Sequence, residues 1–458
     1  MPALPPFDRP DATLIIRSSD FIDFRLHKEA LILASSHFER ILKTPPVSLS
    51  VDSLPQYDVP EDSETLDYLF RFIYPIGKPL IWDLRVVGKV IKAALKYEMK
   101  EVEMEMRDHL ERLSADDPVT AYAIACQLNF EEEASVAANH AIGKEGLQYV
   151  SELDDIAAGP YFRFLQFISA KVPVYNEEEP DMGPNFSPAP QTLFITPPEP
   201  EGNRSSNGCK YEVFDPATVV SSQYPPDIIL QSSDDVQVKA HRIFLMMTSC
   251  IFSGLLHGVP RPRPNADALP VISLDVPGRL LSRLVSLCYP LSEPSMDTID
   301  DLVELVDVAL KFELKAVHNL ARKRIMKLEE TETDPLRIYY ICIRFKWYDE
   351  AQLLAQKMTM LATVEKYYPE MEFVPSWAYF NLRRYHARCS VMLGDLLLAN
   401  GRKLYSTSRP CCVGFIEEYE GVGEHRRAME VVARSAIKDE RLRVGDSEFI
   451  RPSPSYDD

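Results

Sequence analysis

The chain repeats itself once, and this duplication restricts the possible folds more than any other feature of the sequence. Residues 17–42 align without a gap with residues 231–256, which lie 214 positions further along. Later blocks match at slightly larger offsets, and the last pairs Tyr161-Phe162 with Tyr379-Phe380, 218 positions apart. Such a period is too long for a solenoid repeat and indicates a duplicated domain. We therefore expect two copies of one fold in tandem.

Composition narrows the classes of partner. The chain has 458 residues, of which 46% are apolar, so each copy can build a sizeable core. A net charge of −19 argues against nucleic-acid binding and against an anionic membrane surface, because both require a basic face. The first residues resemble no secretory signal, and no apolar run approaches the length of a membrane span. We expect a protein of the cytoplasm, the nucleus or both, with no nucleic-acid or membrane partner.

The eight cysteines show no metal-binding or redox spacing. Cys250, Cys288 and Cys342 sit in apolar patterns, so we expect them to be small core residues. The vicinal pair Cys411-Cys412 follows a proline in a polar tail, and the sequence leaves its role open. We expect reduced thiols and neither a metal nor a cofactor.

The order of segments divides the chain into six parts. The segment between the copies carries 11 prolines in 54 residues together with an acidic run, which is typical of an extended linker. The parts are a first domain (11–115), its helical extension (116–172), the linker (173–226), a second domain (227–330), its helical extension (331–395) and a polar tail (396–458).

Each copy shows the same sequence of local patterns. Two short strands joined by a Ser-Ser-Asp turn precede two short helices, a third short strand and three helices of 3.6-residue period. The last two of these helices are predicted over 84–97 and 100–113 in the first copy, and over 298–312 and 315–328 in the second. Asp117-Pro118 and Asp334-Pro335 then start the helical extensions. The sequence predicts an α+β fold for each copy, a small sheet with a cluster of helices packed on it.

These residues resemble the BTB/POZ family. The family signature is His-x-x-x-Leu-x-x-x-Ser-x-x-Phe after a strand pair, followed later by a helix that ends near a tyrosine. Its counterparts here are His27, Leu31, Ser35, Phe38 and Tyr74 in the first copy, and His241, Leu245, Ser249, Phe252 and Tyr289 in the second. The resemblance covers about 100 residues in each copy, and the whole layout is also similar to uncharacterised fungal BTB proteins.

The resemblance implies protein–protein association. We expect a non-enzymatic scaffold that uses both modules for self-association, between the repeats or between chains, and for recruiting other proteins. One alternative is a substrate adaptor of a cullin-based ubiquitin ligase, with a cullin as partner. Cullin-binding members often carry a hydrophobic-x-Glu element after the second short helix, and the loops 43–53 and 257–269 contain no glutamate. A transcription-associated regulator is the second alternative.

Four residues are tempting as functional sites. His27 and His241 have no Cys, Asp or Glu at ligand spacing, so we expect them to be structural, as the resemblance implies. Asp227 and Arg242 match a charged pair that some dimeric relatives bury near their subunit interface. The first copy carries other residues at these two positions. The pair is therefore a possible interface element by which the copies differ, and a plain surface role for Asp227 is the alternative.

No motif indicates catalysis. The chain has no phosphate-binding glycine loop, nucleophile elbow or zinc-protease motif. We expect the acidic run Glu131-Glu132-Glu133 to be a solvated helix face. Trp377-Ala378-Tyr379-Phe380 and its counterpart Tyr161-Phe162 indicate helical core, with a partner groove as the alternative.

The linker favours contact between the copies. A flexible segment of this length has a root-mean-square reach of about 40 Å, which keeps the two copies at an effective concentration of order millimolar. If the copies retain complementary faces, they can pair within one chain.

Overall fold

A computed structural model of the chain describes residues 1–43, 54–74, 76–77, 80–144, 146–171, 193–198, 213–218, 220, 224–260, 269–289, 298–328, 334–358 and 364–399. These residues form two compact units. The first unit holds the described residues up to 198 and those from 364 onward, and the second holds those between 213 and 358. Most of the predicted linker and almost all of the predicted tail, with Cys411 and Cys412, lie outside the described residues.

The first unit begins with the first repeat. Its elements in chain order are β1 (Leu14–Arg17), β2 (Asp23–Leu26), α1 (Lys28–Ala34), α2 (Ser36–Lys43), β3 (Gln56–Asp58), α3 (Ser63–Ile73), α4 (Leu84–Lys96), α5 (Lys100–Leu113), α6 (Pro118–Gln127), α7 (Glu131–Ala141), a 3-10 turn (Ser151–Asp155) and α8 (Ala158–Lys171).

The second unit repeats this order. Its main elements are β4 (Ile228–Gln231), β5 (Gln237–Ala240), α9 (Arg242–Thr248), α10 (Cys250–His257), β6 (Val271–Ser273), α11 (Gly278–Leu287), α12 (Ile299–Lys311), α13 (Lys315–Leu328), α14 (Pro335–Arg344) and α15 (Tyr348–Met358). The chain then re-enters the first unit with a second 3-10 turn (Pro369–Phe373) and α16 (Ser376–Ala399). The helices predicted over 100–113 and 315–328 are present with those bounds.

The described residues contain two small sheets with one topology. In the first sheet β1 is central, antiparallel to β2 and parallel to β3, with Ile16 opposite Phe24 and Tyr57. In the second, β4 takes the centre between β5 and β6. The helix pair between the second and third strands supplies the crossover that parallel strands require. The mixed α+β fold predicted from the sequence is confirmed.

The backbone turns left-handed at the same three places in both repeats. Positive φ angles occur in the hairpin turns, after the fourth helix and between the two extension helices. The matched residues are Phe21 (62°) and Asp235 (60°), Glu98 (53°) and Glu313 (51°), and Asn129 (59°) and Lys346 (60°). Residues other than glycine rarely adopt this left-handed conformation, and here it occurs where the chain changes direction abruptly. Matched use of it shows that both repeats follow one backbone path.

Capping residues explain where several helices begin. Asp117 and Asp334 each precede a proline at the first helical position, and each accepts a hydrogen bond from a first-turn amide. The Asp of each Ser-Ser-Asp turn also reaches a helix start. Asp20 accepts from the amide of Ser63 at 2.9 Å, and Asp234 accepts from the amide of Gly278 at 2.6 Å. The strand turn therefore also fixes the start of α3 or α11.

One core prediction is wrong. Cys288 and Cys342 are buried as expected, but Cys250 is exposed. It is the first residue of α10, and the buried face of that helix is formed by Phe252 and Leu256. The Cys250 thiol donates to the Glu313 carboxylate at 2.6 Å. The apolar pattern misplaced it because the first turn of a short helix leaves room for an outward-facing side chain.

Candidate functional site: the junction of the two repeat ends

The signature histidines and tyrosines lie together in each repeat. The amide of His241 donates to the hydroxyl of Tyr289 at 2.8 Å, and the ring Nδ1 lies 2.8 Å from the same oxygen. In the first repeat the amide of His27 donates to Tyr74 at 2.8 Å, with Nδ1 at 3.2 Å. Burial raises the pKa of Tyr289 to about 12, which keeps its hydroxyl neutral. Each pair ties the start of a short helix to the end of a later one.

The signature serines and phenylalanines connect the same helix pair to the next layer. Ser249 accepts from the amide of Phe252 at 3.0 Å and donates to the carbonyl of Phe312 at 2.6 Å. The rings of Phe252 and Phe312 stack with centroids 4.9 Å apart. The first repeat has the same arrangement around Ser35, where Phe38 stacks on Tyr97. Leu31 and Leu245 are fully buried. In each repeat, the signature serine therefore caps the second short helix and also donates to a carbonyl at the end of a later helix. The signature leucine and phenylalanine are core side chains of the helix pair.

Asp227 and Arg242 contact each other within the second unit. The Asp227 carboxylate accepts from the amide of Arg242 at 2.7 Å, and the two charged groups lie 3.9 Å apart. The Arg242 guanidinium also donates to the carbonyls of Leu256, Val259 and Pro260 after α10. Arg242 is 7% exposed. Its donors are directed at the chain's own carbonyls, which stabilises the end of α10.

Within the first unit, the carboxyl-terminal segments of the two repeats contact each other. We call residues 146–171 the first end segment and residues 364–399 the second end segment. Each contains a 3-10 turn followed by a long helix, and the two turns lie 218 positions apart in the sequence. Both segments belong to the first unit, and α8 packs against α16 and against the second turn.

The backbone contacts of this junction are reciprocal. The amide of Ala158 donates to the carbonyl of Val374 at 2.8 Å, and the amide of Ser376 donates to the carbonyl of Ile156 at 2.9 Å. Ala157 and Pro375 form an antiparallel bridge between these bonds. Ala158 is equivalent to Ser376 and Ile156 to Val374, each pair 218 positions apart. Each end segment therefore donates one hydrogen bond to the other and accepts the equivalent one. This is the pattern of a two-fold, self-complementary interface, formed here within one chain.

Aromatic side chains fill the junction with the same symmetry. Tyr149 stacks on Phe380 with centroids 4.0 Å apart, and the equivalent pair, Tyr367 and Phe162, lies at 5.9 Å. Tyr379 also contacts Phe162, at 5.5 Å. Tyr379 is fully buried, and Phe162 is 8% exposed. Burial of rings of this size is a major source of interface energy.

A buried polar group crosses the junction. The Ser376 hydroxyl donates to the carbonyl of Leu153 at 2.6 Å and lies 2.8 Å from the hydroxyl of Tyr149. The Tyr149 hydroxyl is also 2.6 Å from the Asp154 carboxylate. Burial and this carboxylate raise the pKa of Tyr149 far above its ordinary value. Ser376 is fully buried, so these partners replace the water that it loses.

The symmetry is broken on one side by an ion pair. Arg163 lies 2.5 Å from Glu372 with both side chains largely buried, whereas the position equivalent to Arg163 is Asn381. Gly159 provides space for the Glu372 carboxylate, because a Cβ at this position would lie 1.9 Å from its oxygen. The residue equivalent to Gly159 is Trp377. The two halves of the junction are thus related but not interchangeable.

The sequence located only part of this site. Tyr161-Phe162 and Trp377-Ala378-Tyr379 are buried in helices as predicted, and Phe380 is half-buried. The location of this core between the two end segments was not predicted from the sequence. The prediction of a solvated acidic face is confirmed for Glu132, which is exposed, and is wrong for Glu133, which is buried beside Arg107, and for Glu131, which binds a linker segment. The sequence signal for this site was the constant offset of 218 positions between the two 3-10 turns and the helices that follow them. That offset indicates that the segment is repeated, but it does not indicate what the segment contacts.

The described residues show little that favours metal binding, thiol chemistry or insertion into a membrane. The described part of the chain contains no group of three His, Cys, Asp or Glu side chains able to hold a metal ion. Burial raises the pKa of Cys126 to about 12 and that of Cys288 to about 11, which disfavours the reactive thiolate. Among the described helices, none combines the length and apolar character needed to cross a bilayer. Most of the two loops that correspond to the cullin-binding element of the BTB/POZ family, residues 44–53 and 261–268, lies outside the described residues.

Comparison with known proteins adds no relative. No protein-family model matches the chain, and no curated protein matches it significantly.

Proposed function

We propose that the chain is a non-enzymatic scaffold for protein–protein association, built from two BTB/POZ-like modules. One adhesive surface of each module, its end segment, is used to join the repeats within the chain. The other faces of the modules recruit other proteins, in the cytoplasm or the nucleus.

Three features support this proposal. The two repeats share strand order, signature contacts and left-handed positions, so the chain carries one module twice. The signature residues contact the chain's own backbone and rings rather than an open cleft. The described thiols with raised pKa values are poor nucleophiles.

The observation that carries the proposal is the reciprocal pair of backbone hydrogen bonds, from Ala158 to Val374 and from Ser376 to Ile156. A duplicated surface that binds its own copy through matched hydrogen bonds and matched rings is specialised for binding polypeptide.

The pairing can be tested in the full-length chain by cutting it. Protease sites are introduced into the stretches 199–212 and 359–363, and the folded protein is cleaved into three fragments. We expect the fragment that contains α8 to co-elute with the fragment that contains α16 in size-exclusion chromatography. Separation of these two fragments at micromolar concentration would contradict the proposed self-association.

Two substitutions at Ala158, one a test and one its control, probe the backbone hydrogen bond to Val374. Ala158 is the first residue of α8, a position at which proline suits a helix. Ala158→Pro therefore removes the amide that binds Val374 while preserving the helix start, and it should weaken co-elution. Ala158→Ser keeps the amide and should not.

Recruitment needs a separate measurement. Tagged full-length chain is purified from cells under high salt and compared with an unrelated acidic protein of similar size. A protein held at near-stoichiometric ratio by the chain alone supports a scaffold. Recovery of the same background proteins by both baits argues against recruitment.

A further inference from the structure

A short piece of the linker is docked in the first unit. We call residues 193–198 the linker peptide. Its Phe194 is fully buried and meets the ring of Phe167 at 5.1 Å and that of Tyr122 at 5.7 Å, both edge to face. Composition predicted an extended linker, and here one of its aromatic side chains is buried against a helical extension. The Phe194 groove is formed by Tyr122 of α6, Glu131 of α7, and Arg163 and Phe167 of α8.

Two charged side chains hold the backbone of the linker peptide. The Glu131 carboxylate accepts hydrogen bonds from three successive amides, those of Phe194, Ile195 (3.0 Å) and Thr196 (3.2 Å). The Arg163 guanidinium donates to the carbonyls of Phe194 at 2.7 Å and Ile195 at 3.2 Å. Hydrogen bonds with one charged partner are the stronger kind, and these satisfy both the donors and the acceptors of the peptide.

The other side chains of the linker peptide contribute little. Leu193 is 50% exposed, Ile195 is half-buried and Thr196 is exposed. The next two residues are prolines, which have no amide hydrogen, so the row of donors ends there. The groove therefore contacts mainly the extended backbone of the linker peptide and its single aromatic side chain.

We propose that the Phe194 groove is a peptide-recognition site, that its ligand class is an extended segment with one buried phenylalanine, and that the linker peptide is its occupant in cis. Recognition through the main chain makes the site tolerant of sequence at every position except the aromatic anchor. The proposal is independent of the scaffold function, although Arg163 also pairs with Glu372 in the junction.

The test removes the occupant and supplies it again as a separate molecule. A fluorescein-labelled peptide, Leu-Phe-Ile-Thr-Pro-Pro, is titrated against full-length Phe194→Ala protein by fluorescence anisotropy. We expect saturable binding with a dissociation constant below about 1 mM, because the tethered segment competes at an effective concentration of that order. Wild-type protein, whose groove is occupied, should bind at least about twofold more weakly, and the factor should grow as the dissociation constant of the peptide falls below the effective concentration of the tethered segment.

Matched variants show which contacts matter. Adding Glu131→Ala to Phe194→Ala should abolish saturable binding. A peptide with alanine in place of phenylalanine should not bind, whereas alanine in place of isoleucine or threonine should be tolerated. Absence of saturable binding to folded Phe194→Ala protein, or equal binding to that variant and to wild type, would overturn the proposal.

A second measurement on the natural sequence covers the case in which Phe194→Ala fails to fold. Hydrogen exchange of the wild-type chain should be slow at the amides of Phe194, Ile195 and Thr196 and fast at Leu193. Glu131→Ala should remove that protection while α5 remains protected. Fast exchange at all three amides in wild-type protein would also refute a docked linker peptide.

Discussion

Tyr161 and Tyr379 occupy the same position in the two repeats and meet each other edge to face, with ring centroids 6.1 Å apart. Residues that contact their own equivalents mark the axis of a two-fold interface. Burial raises the pKa of Tyr161 to about 12, so its ring enters the junction with a neutral hydroxyl. Within the first unit, the two end segments thus contact each other through equivalent residues.

Removing the buried ring of Tyr379 should destabilise the first unit. Tyr379 contacts Tyr161 and Phe162 and lies under the Arg383 guanidinium. Tyr379→Ala leaves a cavity that costs about 3 kcal/mol, the usual size for a buried aromatic ring. Tyr379→Phe keeps the ring and serves as the control. Scanning calorimetry should show a lowered transition for the alanine variant, and equal transitions for both variants would contradict the role of the ring.

A methyl group at Gly159 should break the Arg163–Glu372 pair. Its Cβ would meet the Glu372 carboxylate at a distance that no packed structure allows, so the carboxylate must move. We expect Gly159→Ala to cost about 1–3 kcal/mol by overpacking. The cost should disappear in a Glu372→Ala background, measured by a double-mutant cycle in urea.

Gly254 offers the opposite control. It lies in α10, and nothing is found within 4 Å of its hypothetical Cβ. Gly254→Ala should therefore stabilise the second unit by up to about 1 kcal/mol through helix propensity. Destabilisation by both alanine variants to the same extent would rule out a specific clash at Gly159.

Removing the signature tyrosine hydroxyls should affect the two repeats unequally. Tyr289→Phe deprives the amide and ring of His241 of their common partner, at a cost of about 1–2 kcal/mol for buried groups left unpaired. Tyr74→Phe should cost less, because the side chain of His27 is 29% exposed and water can replace the hydroxyl. Thermal unfolding of both variants tests this order, and a larger loss for Tyr74→Phe would contradict it.

Low pH should remove the helix-capping contribution of Asp234. The Ser232 hydroxyl is the main cause that holds the pKa of this carboxyl below its ordinary value of 3.8; burial opposes it, and the Gly278 amide adds a smaller lowering effect. A lowered folded-state pKa stabilises the protein above the unfolded pKa of about 3.9, and the benefit is lost as the pH falls through the folded value. Wild type should therefore exceed Asp234→Asn in urea midpoint near neutral pH, and the difference should shrink in acid.

The first repeat supplies a matched case for this pH dependence. Asp20 has a pKa lowered mainly by the Ser18 hydroxyl and then by Ser63, at the start of α3. Asp20→Asn should show the same loss of difference in acid. A difference between wild type and either variant that does not change with pH would refute the capping account.

Much of each repeat could be predicted from its residues. The helix over 100–113, the Ser35 and Ser249 caps and the Asp-Pro helix starts depend on local spacing and on side chains that bond within a few residues. Cys250, Glu131 and Glu133 were misplaced because an apolar or acidic pattern does not indicate which side chains another segment covers. The docking of Phe194 was missed for the same reason, since composition describes a segment's average and one ring can still be buried.

The residue pattern alone establishes that one α+β module occurs twice and where most of its helices and strands lie, because those features follow from contacts between near neighbours in the chain. The junction is different. Tyr161 and Tyr379 contact each other although they are more than 200 residues apart in the sequence, and so do Ala158 and Val374. Taken alone, the sequence of each end segment indicates an amphipathic helix and does not indicate what that helix packs against. Pairings at such separation depend on how complete modules pack, so they became visible only in three dimensions.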